Sequence, residues 1–417
     1  MNALDLVYLP VAALSAPFWA RKARGGWPER FGNIEPLPAP VRPRVMLHGV
    51  SVGETNASRA LVPLLSAKAD TLVTASTDTG LKRAAELYKP AAHVRRYPLD
   101  ASWAVRKFLD RAKPQAVALV ELELWPNFIR ACGARNIPVG VVNGRLSERS
   151  FKGYRKLRPY LRSIFASLRF AAVQDEEYRE RFVAMGVLAE RCVVTGSMKW
   201  DSVVIADSVP GMDELAASLG IDRSKPLVVA GSTGPGEEAL LVAARDEWSA
   251  RLGTLVQLLC APRKPERFAD AAAAMPGCVR RSVTKGQPAQ GPNPAGLFLL
   301  DTIGELRAAY ALADVAIVGR SFMGDLFGSD PIEPIGLGRA TVIGPHVDDF
   351  RAIVSDFERA GGLARADRAN VARVVGDLLA SRDAREKLAD AGRDVIRTRQ
   401  GASRTHAEMI LSLLDRR

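Results

Sequence analysis

Cysteine and histidine are scarce in this chain of 417 residues, with four of each. The cysteines (Cys132, Cys192, Cys260, Cys278) form no C-x-x-C pair, which argues against a cysteine zinc site or a disulfide scaffold and fits a reducing compartment. The histidines (His48, His93, His346, His406) show no H-E-x-x-H spacing, so a zinc hydrolase is disfavoured. A Walker loop is missing, and so is a D-x-D pair. The glycines supply no G-x-G-x-x-G with a later ribose acid, which leaves a nicotinamide cofactor poorly supported. At 47% hydrophobic and 25% charged, the composition is that of a folded chain of two or three domains, neither disordered nor multi-spanning.

What the sequence has in excess is positive charge. Lys and Arg number 58 against 46 Asp and Glu, leaving +12, and this predicts an acidic partner. The excess is local. Between Arg145 and Arg169 lie eight basic residues and one acid, Glu148, with Phe151, Tyr154, Tyr160 and Phe165 interleaved. Stacking beside cations also suits nucleic acid, but no RNA- or DNA-binding motif accompanies the block. A surface for phosphates of a lipid or sugar fits it, as does a solvated helix face. At the N-terminus, residues 6–20 (LVYLPVAALSAPFWA) carry no charge, and Arg21, Lys22 and Arg24 follow. The run is shorter than the ~20 residues that span a bilayer, and Pro10 and Pro17 interrupt it. Its cations follow rather than precede it, unlike a secretory signal. Two readings remain: a monotopic anchor in the membrane interface, or an N-terminal helix buried against the protein. Trp19, Trp27 and the adjacent cations favour the anchor, on an anionic membrane surface.

The body alternates short β-rich runs with helical patterns, which predicts parallel sheets and an α/β fold. Strands are expected at 45–50, 71–76, 117–120, 139–143, 170–174 and 192–195, then at 227–230, 255–261, 297–300, 315–318 and 341–343. Most lack apolar/polar alternation, as strands buried on both faces do. Helices are expected at 57–68, 79–88, 237–250 and 303–313. Residues 202–225 read as a linker with one short helix. Two doubly wound units joined in this way imply a cleft, with ligands beyond the carboxyl ends of the strands.

Several loops at those ends have the chemistry of anion or sugar sites. HGVSVGE (48–54) leads from a strand into a helix; Gly49 and Gly53 allow close approach, Ser51 supplies a hydroxyl, and free amides attract anions. Glu54 is then a candidate general base, or an ordinary first-turn acid favouring the helix dipole. In ELELWPN (121–127), Glu121 and Glu123 would share one strand face, and buried acids need partners such as the basic block. NGRLS (143–147) and GSMKWD (196–201) end further strands. In the second half, GSTGPGE (231–237) suits a phosphate, Arg263 and Lys264 could pair with one, and Glu333 stands where an acid accepts ribose hydroxyls.

Taken in order, HGVSVGE, ELELWPN, NGRLSERS, GSMKWD, GSTGPGEE, APRKPERF, DTIGEL and the EP…GPH stretch (333–346) resemble the Kdo transferases, which move 3-deoxy-D-manno-oct-2-ulosonic acid (Kdo) from CMP-Kdo to a lipid A precursor. The resemblance covers nearly the whole chain, including WPERFG (27–32). It implies a GT-B fold: two Rossmann-like, doubly wound α/β domains with a cleft between them. The implied division is a membrane-associated segment at 1–35, an acceptor-binding domain at 36–203, a linker at 204–225, a nucleotide-sugar-binding domain at 226–392, and a helix at 393–417 crossing back to the first domain. It implies an inverting transferase at the cytoplasmic face of the inner membrane, held there through its N-terminus. The acceptor would be lipid IVA, with no cofactor, no metal and no nucleic-acid partner. Glu54 matches the family's base. Ser232 and Thr233 match the donor loop, Arg263 a donor-phosphate contact, and Glu333 the ribose contact, with Ser329 and Asp330 in the same donor stretch. Ser51, Gly53, Glu123, Asn143, Arg145 and Lys199 match acceptor or cleft positions. The chain departs from the family pattern at Gly319-Arg320, where Gly-Gly is usual, at Ser329-Asp330, where His-Asn is usual, and at Arg263-Lys264, where Arg-His is usual. A transferase with a different nucleotide-sugar donor, or a non-catalytic relative that binds anionic lipid, are the alternative readings.

Overall fold

A computed structural model of the chain describes residue 5 and residues 25–287, 291, 293–324 and 326–415. The apolar run at 6–20, expected as a membrane anchor, lies outside the described residues. Among the described residues no helix is long and apolar enough to cross a membrane.

The chain forms two compact units, Met1–Ser202 with Arg399–Arg417, and Val203–Thr398. The first holds seven parallel strands: β1 (Arg44–His48), β2 (Asp70–Ala75), β3 (His93–Arg96), β4 (Ala116–Val120), β5 (Val139–Gly144), β6 (Phe170–Val173) and β7 (Cys192–Val194). Their order is β3-β2-β1-β4-β5-β6-β7. The order reverses between β1 and β4, which is where doubly wound sheets bind ligands. β1 and β4 are buried throughout because helices cover both faces. Alternate residues serve separate cores. Met46, Val117 and Leu119 join Phe108, Phe128 and Phe165 on one face. Val45, Leu47, Ala118 and Val120 join Leu61, Leu65, Ile410 and Leu413 on the other.

The second unit repeats the plan with β8 (Leu227–Thr233), β9 (Gln257–Pro262), β10 (Val279–Arg280), β11 (Leu297–Leu299), β12 (Val315–Val318), β13 (Ala340–Ile343) and β14 (Ala364–Arg365), all parallel. Their order is β10-β11-β9-β8-β12-β13-β14, which sets the switch point between β8 and β12.

Three strands escape the sequence reading: β3, whose burial alternates, and the two-residue strands β10 and β14. The helix expected at 57–68 is two helices, Val52–Ala57 and Leu61–Ser66. The restart at Leu61 places Pro63 in a first turn, where its missing N–H does no harm. The helix expected at 303–313 begins at Leu306. Residues 204–225 belong to the second unit rather than to a free linker: helix Met212–Leu219 puts Leu215 and Leu219 into that unit's core, with Ile221 behind them.

The chain end is likewise divided differently. Arg382–Arg399 is one helix of the second unit up to Thr398, and a separate helix, Ala402–Asp415, completes the first unit. Asp201 caps this last helix. Its Oδ1 accepts the Gly401 N–H at 2.6 Å and its Oδ2 the Ser403 N–H at 2.5 Å. The Trp200 carbonyl accepts from Gln400 Nε2 at 3.0 Å, and His406 Nε2 meets the Thr195 hydroxyl at 2.7 Å. Burial holds His406 neutral, with its pKa lowered to about 4. Asp201→Ala should therefore destabilise the first unit by about 1–2 kcal/mol. It should also speed amide exchange across 402–415 while leaving helix Glu237–Leu252 protected as before. Denaturant titration and hydrogen exchange measure both effects.

Candidate functional site

At the carboxyl ends of β1, β4, β5 and β7 the first unit gathers three carboxyl groups and two cations. Ser51 and Glu54 form a capping box at the start of helix Val52–Ala57, following the S-x-x-E spacing. The Ser51 hydroxyl donates to Glu54 Oε1 at 3.0 Å, and the Val50 N–H donates to Glu54 Oε2 at 2.6 Å. The carboxyl thus folds back over its own loop. Gly49 keeps this fold uncrowded, because a Cβ there would lie 3.2 Å from Glu54 Cβ, a tight contact. Gly53, the other expected glycine, is not sterically required, since a Cβ would meet only Ser51 Oγ at 3.6 Å.

Glu54 is half-buried and its pKa is raised to about 7. Burial is the largest cause. The Val50 N–H and the Ser51 hydroxyl oppose it, and the charges of Glu121 and Glu123 add to it. Glu121 and Glu123 are themselves raised, chiefly by burial. Arg145 and Lys199 pull Glu121 the other way, and Trp125 Nε1 donates to Glu123 Oε2 at 2.8 Å. Glu121 and Glu123 do not share a strand face, as the alternation had implied. β4 stops at Val120, and Glu121 turns left-handed at φ 60°. Asn143 is left-handed too, at φ 53°, where β5 ends. It is fully buried, and its Oδ1 accepts the Met198 N–H at 3.0 Å, which ties down the loop that carries Lys199. Among the described residues nothing pairs with Asn143 Nδ2. So Ser51, Glu54, Glu123, Asn143, Arg145 and Lys199 come together, and Glu121 joins them. Its signal was the E-x-E pair, but its place beside Glu54 depends on residues far apart in sequence.

A second group lies at the ends of β8, β9 and β12 in the other unit. Ser232 is left-handed at φ 56°. Thr233 is fully buried, and its hydroxyl donates to Glu238 Oε1 at 2.7 Å, so this hydroxyl is engaged within the protein. Arg267 grips the same Glu238 with two bonds of 3.0 Å. Arg263 follows β9 with its side chain exposed. Ser329 is buried, and its hydroxyl has no partner among the described residues. Asp330 Oδ1 accepts the Ile332 N–H at 3.0 Å and so begins the short helix Ile332–Gly336, which carries the half-buried Glu333.

The sequence reading missed the residue that binds these loops together. Glu237 is fully buried, and its carboxylate accepts four backbone N–H groups. Gly234 and Arg320 donate to Oε2 at 2.8 and 2.7 Å, and Ser321 and Phe322 donate to Oε1, both at 2.9 Å. Within the loop expected to suit a phosphate, the Gly234 amide is therefore turned onto Glu237. Gly319 leaves room for this, since a Cβ there would come within 2.7 Å of Thr233 Cα.

Comparisons with known proteins agree with this layout. A family model described as 3-deoxy-D-manno-octulosonic-acid transferase (kdotransferase) matches residues 25–202. A 3-deoxy-D-manno-octulosonic acid transferase of Bordetella pertussis is 34% identical over 405 residues, covering 92% of each chain. One of Haemophilus influenzae is 28% identical over 423 residues, covering 99% of this chain and 96% of its own. Among solved structures, a glycosyltransferase from Rickettsia africae superposes with a TM-score of 0.59 at 12% identity, over 90% of this chain and 100% of its own. This last likeness concerns the fold, two Rossmann-like α/β units of GT-B type.

Glu237→Gln tests the clamp. An amide offers one acceptor oxygen and turns an NH2 donor toward two N–H groups. The second unit should lose about 2–3 kcal/mol, seen as a lower denaturant midpoint. Glu54→Gln, at a half-buried position, should cost less than half of that.

Proposed function

The chain belongs to the 3-deoxy-D-manno-octulosonic acid (Kdo) transferase family, and from that premise we propose how its residues divide the work of transfer. It is a glycosyltransferase that transfers Kdo. In our reading the donor is CMP-Kdo, held by the second unit, and the acceptor is a phosphorylated lipid A precursor, lipid IVA, held by the first. Glu54 is the general base. An acceptor hydroxyl attacks the anomeric carbon of Kdo and its proton passes to the Glu54 carboxylate. The bond from that carbon to the phosphate oxygen breaks, and CMP leaves with the electron pair, inverting the anomeric centre. The observation that carries this assignment is the half-buried Glu54 carboxyl, poised near pH 7 by burial and by Glu121 and Glu123.

Arg145 and Lys199, beside the carboxyl cluster, are placed to take phosphate or sugar groups of the acceptor. Arg263, exposed after β9, is assigned to the donor phosphate, whose growing charge it would stabilise. Ser232, Ser329, Asp330 and Glu333 edge the same donor site, with Glu333 on the ribose. Thr233 contributes through its backbone.

We also assign the basic block to the inner-membrane surface, together with the N-terminal run. Every residue of helix Glu148–Lys156 is at least partly exposed, and Leu157 and Tyr160 stand out from the segment that follows. Cations with exposed apolar side chains between them suit anionic headgroups.

Two experiments test these roles. Glu54→Gln should lower kcat by about 100- to 10,000-fold with the protein still folded, judged by mass spectrometry of the lipid product made from CMP-Kdo. In the wild type kcat/KM should rise as pH passes about 7, because the base must lose its proton. Glu121→Gln removes a negative charge that raises the Glu54 pKa, so this limb should move to lower pH. Full turnover by Glu54→Gln would refute the base. Separately, replacing Arg149, Arg155 and Lys156 together by Gln should weaken binding to anionic vesicles by about 100-fold, at about 1 kcal/mol per cation, with no change on neutral vesicles.

A further inference from the structure

Arg320 stands in a backbone conformation that a glycine would adopt more easily. Its φ is 60°, at the carboxyl end of β12. Left-handed backbone is unfavourable for a side chain with a Cβ, and such outliers gather where a side chain is needed for function. The conformation is imposed from both sides. The Arg320 N–H is held by Glu237 at 2.7 Å, and its carbonyl accepts the Gly328 N–H at 2.9 Å. Both bonds use only the main-chain groups of Arg320, so neither explains why an arginine stands here.

The side chain is half-buried and oriented. Its Nη2 donates to the Leu326 carbonyl at 2.7 Å. Among the described residues no carboxylate pairs with it, so most of the guanidinium fork stays available. The fork lies in the loop that runs from β12 to Ser329, Asp330 and Glu333. Its main chain is tied through Glu237 to the loop of Ser232 and Thr233. A planar fork fixed at one corner is suited to a two-oxygen anion.

We infer that Arg320 is a donor-binding residue whose guanidinium takes an oxyanion of the nucleotide sugar. This rests on the reading of the second unit as the donor unit. The donor carries two such groups, the phosphate of CMP and the carboxylate of the ulosonic acid. A purely structural arginine would only pin the loop through Leu326, and the two roles differ in what substitution does.

The test uses the full chain with Arg320→Gly, which relieves the left-handed strain, and measures donor KM, acceptor KM, CMP affinity by calorimetry and melting temperature. The expected result is a melting temperature no lower than wild type. Donor KM should rise at least ~10-fold while acceptor KM stays within about twofold. If CMP affinity falls in parallel, the contact is to the phosphate. If CMP affinity holds while donor KM rises, the contact is to the sugar carboxylate. Both results support the inference. Arg320→Asn, which tolerates the left-handed backbone without the charge, repeats the test should glycine loosen the loop, and Arg320→Lys should recover part of the affinity. Donor KM and CMP affinity unchanged in the Gly and Asn variants would overturn the inference alone. A wild-type protein that binds no CMP would overturn the reading of the second unit and the inference with it.

Discussion

Each unit closes its first strand-to-helix turn with a glutamate that folds back to accept an amide of that turn, and the chemistry of the molecule depends on how completely each carboxylate is satisfied. A buried carboxylate is tolerable only if hydrogen bonds replace the water it loses. Glu237 receives four amides from two loops, and it is fully buried. Its acceptor oxygens are taken up by amides, so its role is to hold loops. Glu54 receives one amide and one hydroxyl, with two further carboxyl groups nearby. It is left short of donors at a place where a carboxylate is already disfavoured. The same local design therefore gives a scaffold in one unit and a group that can take a proton in the other.

Backbone strain marks the same edge of each sheet. Glu121, Asn143, Ser232 and Arg320 are all left-handed, and all lie at or just past the carboxyl end of a strand. A strand that continued would alternate its side chains between the two cores. The left-handed step breaks that alternation and turns the next side chain out of the sheet. At Asn143 the cost is offset locally by the side-chain bond to Met198, and at Arg320 by the Glu237 bond. At Glu121 the backbone N–H donates to the Val142 carbonyl at 3.0 Å, and the side chain carries the acid to Glu54.

Much of this was legible in the sequence, for physical reasons. Strands buried on both faces are continuous apolar runs, so β1, β4, β5, β8 and β12 stand out. β3, with His93, Arg95 and Arg96 among four residues, does not. The HGVSVGE loop announces the turn at Glu54, and the E-x-E pair announces acids at a strand end. The poise of Glu54 near pH 7 was not legible. It comes from burial and from charges some 70 positions away, which only the switch point between β1 and β4 brings together. Glu237 was hidden for a related reason. Its sequence neighbourhood suggests a phosphate loop, and only the course of residues 319–322 reveals where the Gly234 amide points. The resemblance to the family named Glu54 but could not assign Arg320, because the family pattern there is not an arginine.

The chain end belongs to the site in a way that its distance in sequence conceals. Ile410 and Leu413 fill the core beneath β4 and β5, whose ends carry Glu121 and Asn143. Asp201 binds the start of that helix, and it lies two residues after Lys199. Met198, on the other side of Lys199, is held by Asn143. The lysine is thus pinned from both flanks, once by the strand that ends at Asn143 and once by the helix that ends the protein. A free loop would let its ammonium swing into solvent and weaken its pull on Glu121. Fixing it keeps a cation beside Glu121, whose charge in turn helps set the pKa of Glu54. The terminal helix and the proton affinity of Glu54 are therefore coupled through three short links, each of which is a hydrogen bond or a charge pair in the first unit.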